Sequence, residues 1–367
     1  MDPDAAVADA APSNPAADLP LLGEGSHLGT IIGFNAQNPV ATEASIAAHW
    51  DEAVAAGMNV GRVQLDWVEL EPTSGQFDMS ELEDALTLLS ADGVKPFLLL
   101  PALDDASALP LDLATRVEAG ELTFASPEII ARFKLLLDWV VPMLLSHNGW
   151  VLAIANEPGN VFDDLDAAEA MTKATELATF TREARDHVHS LEPRLAVTVT
   201  LREDLTLASN KPYLATLLEP VDVVSFNFYC SRFADNLNVE TSVTAIEGYI
   251  DRMLTTAGDK QLLIQELGCH AGRAGGLTGA TEALQVQFHQ TVYAKLASEE
   301  RFRAAIVFQL VDWDPALVES FFSQPFRDAG VPEDFILRFA ESLETVGFLN
   351  YADGAERPAW QTFIDAL

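Results

Sequence analysis

Residues 151–158 read VLAIANEP, five apolar residues followed by Asn156, Glu157 and Pro158. An apolar run of this length that stops at an amide and a proline is typical of a strand buried on both faces, as in a parallel sheet. The run ends on a carboxylate. The stretch therefore predicts a buried parallel strand that delivers Glu157 to one edge of its sheet.

Short apolar runs of this kind alternate with longer amphipathic stretches, which is the pattern of a parallel sheet with crossover helices. Strands are predicted over residues 27–34, 59–65, 95–100, 150–155, 194–200, 221–228, 261–265 and 304–310. Helices are predicted over residues 43–56, 79–91, 127–145, 167–191, 212–218, 243–257, 282–298 and 332–346. This order predicts an α/β protein, a closed (β/α)8 TIM barrel in one domain. An open doubly wound sheet is the alternative, although no glycine-rich turn follows the first strand to bind a dinucleotide.

The charge balance bears on the partners of the protein. The 367 residues include 56 Asp and Glu against 21 Lys and Arg, a formal net charge of −35. This balance disfavours nucleic acid and anionic membrane surfaces, because both are bound by clustered cations. No apolar run approaches the roughly 18 residues that span a bilayer. We interpret the acidic surface as a source of solubility, with a saline habitat as the alternative.

The N-terminal segment and the cysteines bear on the compartment. Residues 1–25 are rich in Ala, Asp and Pro and are predicted to form a flexible leader, with the barrel over residues 26–367. The leader lacks the basic start and apolar core of a signal peptide. We expect a secreted or periplasmic protein whose export signal is not part of this sequence, with a cytoplasmic protein as the alternative. Cys230 and Cys269 lie after neighbouring predicted strands, and we expect two thiols rather than a bridge.

Two strand ends carry acids. Glu157 ends the fourth predicted strand, and Glu266 follows the seventh, in QLLIQELGCH at 261–270. In barrels of this fold, active sites lie at the C-terminal rim of the strands. Two carboxylates facing each other across the rim are what a retaining glycosidase requires, one to protonate the leaving oxygen and one to attack the anomeric carbon. For either Glu alone, a salt bridge or a helix cap is the alternative.

These residues resemble the clan A glycoside hydrolases, a superfamily of (β/α)8 enzymes with an acid/base after the fourth strand and a nucleophile after the seventh. Asn156-Glu157-Pro158 is similar to the acid/base motif, and QELG at 265–268 to the nucleophile motif. The resemblance implies that Glu157 is the acid/base, that Glu266 is the nucleophile and that Asn156 binds the sugar 2-hydroxyl. It also implies that no cofactor is needed.

The resemblance extends to the second and sixth strands. AGMNVGRVQLDWVELEPTSGQFD at 56–78 implies that Arg62 lies near the nucleophile and that Trp67 borders the sugar site, with a core tryptophan as the alternative. DVVSFNFYC at 222–230 implies that the Tyr229 hydroxyl donates a hydrogen bond to Glu266, which favours the anionic carboxylate. The alternative for Tyr229 is a packed phenol with a backbone partner. Asn227 belongs to the same motif, and its role stays open.

AAIVFQLVDWDP at 304–315 implies that Trp313 is an aromatic platform for the sugar. The segment 347–363 resembles the closing segment of clan members, in which Pro358 and Trp360 would dock the last helix. Several further polar residues near strand ends are candidate hydroxyl ligands or simple loop and turn residues: Asn35, Gln37, Asp104, Asp105, Asp312 and Asp314. His270 is expected at the rim, and His27 at the opposite, structural end of the barrel.

The sequence thus predicts a retaining O-glycoside hydrolase that cleaves a β-linked oligo- or polysaccharide, expected as a monomer. A non-catalytic carbohydrate-binding barrel is the alternative, and a metal-dependent barrel enzyme is disfavoured because no histidine cluster is present. Neither the sugar nor endo or exo action is determined. The acidic chain favours neutral substrates, although Arg202 and Arg232 could form a local basic patch. The insert 102–126 and the loop 314–330 are expected to shape the cleft.

Overall fold

The computed structural model describes residues 26–30, 43–103, 108–158, 162, 165–207, 213–231 and 237–367. Eight parallel strands close into a barrel in sequence order. They are β1 (His27–Thr30), β2 (Val60–Gln64), β3 (Lys95–Leu99), β4 (Val151–Asn156), β5 (Ala196–Arg202), β6 (Val224–Tyr229), β7 (Leu262–Gly268) and β8 (Phe302–Val307). The predicted single-domain (β/α)8 barrel is confirmed.

The crossover helices lie close to their predicted positions. The crossover helices and the closing helix are α1 (Glu43–Ala56), α3 (Ser80–Ala91), α5 (Pro127–Ser146), α6 (Ala167–Leu191), α7 (Tyr213–Leu218), α8 (Val243–Ala257), α9 (Glu282–Ser298), α12 (Glu333–Leu343) and α13 (Pro358–Ala366). Sequence patterns did not predict four short helices, which are α2 (Trp67–Leu70), α4 (Leu111–Glu118), α10 (Pro315–Val318) and α11 (Gln324–Asp328). One or two turns carry too little periodicity to be recognised.

The two faces of β4 show why its sequence is apolar throughout. Val151 and Ala153 pack inside the barrel, in a cluster with residues such as Phe97. Leu152 and Ile154 face outwards, into the larger cluster between the strands and the helices. Because both faces are buried, the strand has no polar alternation, as expected for a parallel barrel.

The barrel is irregular at three strand pairs. The register shifts between Ala153 and Asn156 in β4 against β5. It shifts again between Phe226 and Asn227 in β6 against β7, and in the β7–β8 pair between Ile264 and Leu267 of β7. A bulge of this kind re-aims the side chains that follow it. A fourth shift lies at the start of β7, between Leu262 and Leu263. The other three affect the C-terminal ends of strands that carry predicted site residues.

The prediction of two free thiols is wrong, because Cys230 and Cys269 form a disulfide with their Cα atoms 4.9 Å apart. The physical reason is the register of β6 and β7. Tyr229 pairs with Gly268, so the next residue on each strand is brought opposite the other. No described helix is long and apolar enough to cross a membrane.

The closing segment docks the last helix as predicted. Pro358 occupies the first turn of α13, and the buried Trp360 packs against Phe348 with ring centroids 6.3 Å apart. The predicted leader at 1–25 and residues 31–34 of the first predicted strand lie outside the described residues.

Candidate active site

A cavity of about 280 Å³ lies at the C-terminal ends of the strands. Its polar lining includes Asn156, Glu157, Asn227, Tyr229 and Glu266, which come from β4, β6 and β7. Five of the predicted site residues therefore line one cavity, although they are up to 110 positions apart in the sequence.

Glu266 lies at the cavity with both carboxylate oxygens held. Arg62 Nη1 donates to Oε1 at 2.5 Å, and the Tyr229 hydroxyl donates to Oε2 at 2.7 Å. Arg62 and Glu266 are each only 7% exposed, so water screens the pair weakly. Hydrogen bonds in which the donor or acceptor is charged are short and directional. The arrangement therefore fixes the directions of both Glu266 carboxylate oxygens.

Tyr229 stays protonated in this setting. Burial, and then the negative charge of Glu266, raises the pKa of Tyr229 well above its ordinary value. The phenol therefore acts as a hydrogen-bond donor across the working range of an enzyme, and it cannot compete with Glu266 as an anion.

A chain of amides orients the residues at the end of β4. Asn227 Nδ2 donates to Asn156 Oδ1 and to Glu157 Oε1, each at 2.9 Å. Gln265 Nε2 donates to the same Asn156 oxygen at 2.9 Å, and the Thr200 hydroxyl donates to Gln265 Oε1 at 2.6 Å. Two donors therefore converge on the Asn156 side-chain oxygen and fix the orientation of its amide.

The backbone at Glu157 is unusual. Its φ of 55° lies in the left-handed region, which non-glycine residues seldom adopt. The Glu157 N–H donates to the Thr200 carbonyl at 2.8 Å, which ties this conformation to β5. Backbone strain of this kind costs on the order of 1 kcal/mol and is concentrated at functional sites. The turn separates the directions of Asn156 and Glu157 and lets both side chains line the cavity.

The placement of Trp67 beside the sugar site is wrong. Trp67 is fully buried and packs on Phe133 with ring centroids 5.0 Å apart. Its indole Nε1 donates to the buried Glu71 carboxylate at 2.8 Å. The short helix α2 begins at Trp67 and turns the indole into the core between strands and helices, so Trp67 does not line the cavity.

Trp313 does line the cavity, in contact with Phe322 at a centroid distance of 5.5 Å. The two neighbouring acids differ in their settings. Asp312 is buried in a two-pronged ion pair with Arg357, at 2.6 and 2.7 Å. It is therefore neither a hydroxyl ligand nor a loop charge, because the chain after β8 turns it into the closing segment. Asp314 is a partly exposed loop residue, as one expectation had it, and caps α10 by accepting from the Ala316 N–H at 2.7 Å.

Sequence reasoning missed an apolar wall on one side of the cavity, formed by Phe308, Phe322, Phe339, Leu343 and Val346. Most of these residues come from the 314–330 loop and α12, so that loop does shape the cleft as expected. No described residue of the 102–126 insert lines the cavity. The density of phenylalanine between 321 and 339 was the available signal.

The end of β5 adds charges to the lining. Arg202, Glu203 and Asp204 all face the cavity, and Arg202 forms an ion pair with Asp204 at 3.1 Å. Arg202 is therefore placed as predicted but neutralised locally. Its predicted companion Arg232 lies outside the described residues, as do Asn35, Gln37, Asp104 and Asp105.

The two predicted histidines lie at opposite ends of the barrel. His270 lines the cavity, and burial lowers its pKa to about 4 despite the opposing charge of Glu341. His27 begins β1 and contacts Trp150 with ring centroids 5.2 Å apart. Within the part of the chain that the structure describes, no group of three or more His, Cys, Asp or Glu residues is arranged to hold a metal ion.

Solved structures share this architecture. The exo-β-1,4-mannosidase Op5Man5 from Opitutaceae bacterium strain TAV5 superposes with a TM-score of 0.63 at 15% identity, over 93% of this chain and 59% of that one. GH5_18 from Streptomyces cattleya in complex with GlcNAc gives 0.65 at 13% identity, over 93% and 79%. Xylanase 10B from Thermotoga maritima gives 0.61 at 11% identity, over 96% of both chains.

These solved structures and this chain share the (β/α)8 barrel fold. At such identities the likeness shows the fold alone. No protein-family model and no curated protein sequence matches the chain. This chain spans about three fifths of Op5Man5. Its function therefore has to be inferred from the residues of the cavity.

Proposed function

We propose that this protein is a retaining O-glycoside hydrolase acting on a β-linked carbohydrate, with Glu157 as acid/base and Glu266 as nucleophile. The observation that carries the proposal is the Glu266 carboxylate, held by Arg62 at 2.5 Å and by Tyr229 at 2.7 Å at the floor of an accessible cavity. An anion with its lone pairs fixed in this way is suited to attack an anomeric carbon.

The reaction proceeds in two displacements. Glu266 attacks the anomeric carbon while Glu157 gives its proton to the glycosidic oxygen, so the aglycone leaves as an alcohol and a glycosyl-enzyme ester forms. Glu157, now an anion, then takes a proton from water as the water oxygen displaces Glu266. Asn227 Nδ2, at 2.9 Å from Glu157 Oε1, holds that carboxyl through both steps. The carboxyl groups are expected about 5 to 5.5 Å apart, as double displacement requires.

The non-catalytic alternative has less support. A sugar-binding site gains affinity from donors, acceptors and aromatic faces, and it has no use for a carboxylate whose oxygens are both engaged by protein donors. In this cavity the Glu266 carboxylate is such a group, because it forms an ion pair with Arg62. The same carboxylate is the one group that hydrolysis by double displacement cannot omit.

We infer a neutral substrate. The cavity carries the carboxylates of Glu157, Glu203 and Glu266, while Arg202 is paired with Asp204. A polyanion would be repelled by this lining and by the net charge of −35. β-Mannosides and β-xylosides are the first sugars to test, because two of the similar structures are named as an exo-β-1,4-mannosidase and a xylanase.

The test compares three proteins on a panel of 4-nitrophenyl β-glycosides and on the matching polysaccharides, whose products are sized to separate endo from exo attack. Glu266→Ala is expected to lose at least about 10⁴-fold in kcat, because the covalent route is closed. Glu71→Gln is the matched control, since Glu71 is also buried and paired with an arginine, Arg132 at 2.6 Å, but lies outside the cavity. It is expected to keep its turnover while losing stability.

Stereochemistry gives a second, independent readout. Proton NMR of the first product is expected to show the β-anomer before mutarotation, as retention demands. An initial α-anomer, or full activity in Glu266→Ala, would show that the mechanism is not the proposed one.

We also propose that the protein is exported. The Cys230–Cys269 disulfide supports this, because such bonds persist in oxidising compartments and are rare in the cytosol. Thiol titration of the protein purified from its native source, with and without prior reduction, tests it. Two titratable thiols without reduction would favour the cytoplasmic alternative.

A further inference from the structure

We propose that the Cys230–Cys269 disulfide positions the Tyr229 hydroxyl on Glu266, so that the bond acts in the reaction as well as in stability. This inference rests on the proposed function, because it assigns a role through the nucleophile. Cys230 directly follows Tyr229 in the chain, and Cys269 lies three residues after Glu266. The covalent link therefore joins the segments that carry the donor and the acceptor of one hydrogen bond.

The backbone pairing of β6 and β7 ends at this point. Tyr229 pairs with Gly268, and the Cys230 N–H donates to the Gly268 carbonyl at 3.0 Å. After these residues the chains separate: Ser231 pairs with Val239 of its own segment, whereas Ala271 donates to the Thr345 carbonyl at 2.8 Å. The disulfide is the one covalent connection that holds the two strand ends together beyond their last ladder bond.

The tyrosine ring depends on this close approach. A Cβ placed on Gly268 would lie only 2.6 Å from Tyr229 Cε1, so the ring rests directly on the Gly268 backbone. Phe308 contacts the ring edge-on at a centroid distance of 5.6 Å. Any separation of the strand ends moves the ring away from Gly268 and lengthens the 2.7 Å bond to Glu266. Cys230 and Cys269 are thus positioning residues, because neither of them lines the cavity.

The expected effects follow from the bond that is loosened. Tyr229→Phe removes a hydrogen bond to a charged group and is expected to lower kcat/KM about 10- to 100-fold. The loss is expected in kcat rather than in KM, because the hydrogen bond acts on the nucleophile and not on the sugar. Cys230→Ala/Cys269→Ala is expected to give a smaller effect in the same direction, about 3- to 30-fold.

The experiment is a double-mutant cycle at a temperature where every variant is folded by circular dichroism. It uses the wild type, the cysteine pair variant, Tyr229→Phe and the combination of the two. If the disulfide acts through Tyr229, the combination is expected to be no slower than Tyr229→Phe alone, since the same bond cannot be lost twice. Glu71→Gln, a destabilised variant remote from the cavity, is expected to leave kcat unchanged.

Two results would overturn the inference: a cysteine pair variant with the kcat of the wild type, or losses that multiply in the combined variant. If the cysteine pair variant does not fold, the folded wild type is reduced with a dithiol instead. The S–S bond becomes two thiols while the dithiol is oxidised to its cyclic disulfide, and alkylation then traps the product for the same assays.

A spectroscopic readout separates this inference from the proposed function. The chain has five tyrosines, so ¹³Cζ-tyrosine labelling gives few signals, and Tyr229→Phe identifies one of them. That signal is expected to move when the disulfide is removed, and an unmoved signal contradicts the positioning role. Absence of hydrolysis with every glycoside would sink the proposed function, while the tyrosine signal would still report whether the disulfide holds Tyr229 in place.

Discussion

The buried ion pair that follows β8 makes a quantitative stability prediction. Asp312 accepts from Arg357 through both carboxylate oxygens, at 2.7 and 2.6 Å, and from the Gly347 N–H at 2.8 Å. Asp312 is 1% exposed and Arg357 is 7% exposed. Asp312→Ala leaves a buried guanidinium that still donates to the Gly347 carbonyl at 2.9 Å. The cost of such an unpaired charge is about 3 to 5 kcal/mol.

In a domain of this size the entropy of unfolding is about 0.7 kcal/mol/K, so that loss lowers Tm by about 4 to 7 °C. Burial raises the pKa of Asp312 to about 6, so the measurement belongs at pH 8, where the carboxylate is ionised. Calorimetry and urea unfolding give Tm and the free energy of unfolding. Arg327→Met serves as the control, because its partners Glu319 and Glu333 are exposed and such pairs contribute at most about 1 kcal/mol.

A double variant tests the reasoning itself. Asp312→Leu/Arg357→Met removes both charges and is expected to cost less than Asp312→Ala, because no buried charge is left alone. A residual cost of about 1 to 3 kcal/mol is expected, since the backbone groups of Gly347 lose their partners. A double variant as unstable as the sum of the single changes would refute this explanation, as would a single variant within about 1 kcal/mol of the wild type.

Three further outcomes are expected. Glu157→Gln should lower kcat/KM for alkyl β-glycosides about 10²- to 10⁴-fold but spare kcat/KM for 4-nitrophenyl β-glycosides, whose leaving group needs no proton in the first displacement. Equal losses of kcat/KM would exclude the acid role. Burial lowers the pKa of His270 in the folded protein from 6.5 to about 4. About 3 kcal/mol of stability, which is fully present above pH 6.5, is therefore lost as the pH falls to about 4. The free energy of unfolding of His270→Gln, measured in urea, should not show this dependence on pH, and an unchanged dependence would contradict the explanation. Phe322→Ala should raise KM for aryl glycosides several-fold, because Phe322 belongs to the apolar wall of the cavity. Phe321, which is 63% exposed, is the control, and Phe321→Ala should leave KM unchanged. Equal KM values for the two variants would show that the wall does not contact the substrate.

The barrel could be predicted from the sequence because its strands are buried on both faces. Runs such as Val151 to Ala155 have no polar alternation, and the pattern marks both the strand and its end. Parallel strands of a barrel all end at one rim, so any polar residue that stops a run is brought to the same place. This geometry is why Glu157 and Glu266 could be paired from sequence, and why Arg62 and Tyr229 lie against Glu266.

What could not be predicted depends on the direction of single side chains. Trp67 and Asp312 lie as close to strand ends as the cavity residues do, yet both are directed into the core. A helix of four residues turns Trp67 inwards, and the closing segment supplies Arg357 to Asp312 from 45 positions away. The Cys230–Cys269 bond could be predicted only from the register of β6 against β7. That register includes a shift that the periodicity of the sequence does not indicate.

The register shift between β6 and β7, together with those in β4 and in the β7–β8 pair, helps to explain how one strand can supply two consecutive site residues. Successive side chains of a regular strand point to opposite faces of the sheet. Gln265 and Glu266 are consecutive, yet Gln265 bonds Asn156 at 2.9 Å and Glu266 bonds Arg62 at 2.5 Å. The β7–β8 register shift falls at these two residues, between Ile264 and Leu267. The bulge directs both side chains toward the mouth of the barrel. At β4 the register shift ends at Asn156, and the left-handed backbone of Glu157, just past the strand, lets both side chains line the cavity. The proposed chemistry therefore depends on irregular strand ends, because a strictly regular strand could have presented only one residue of each pair.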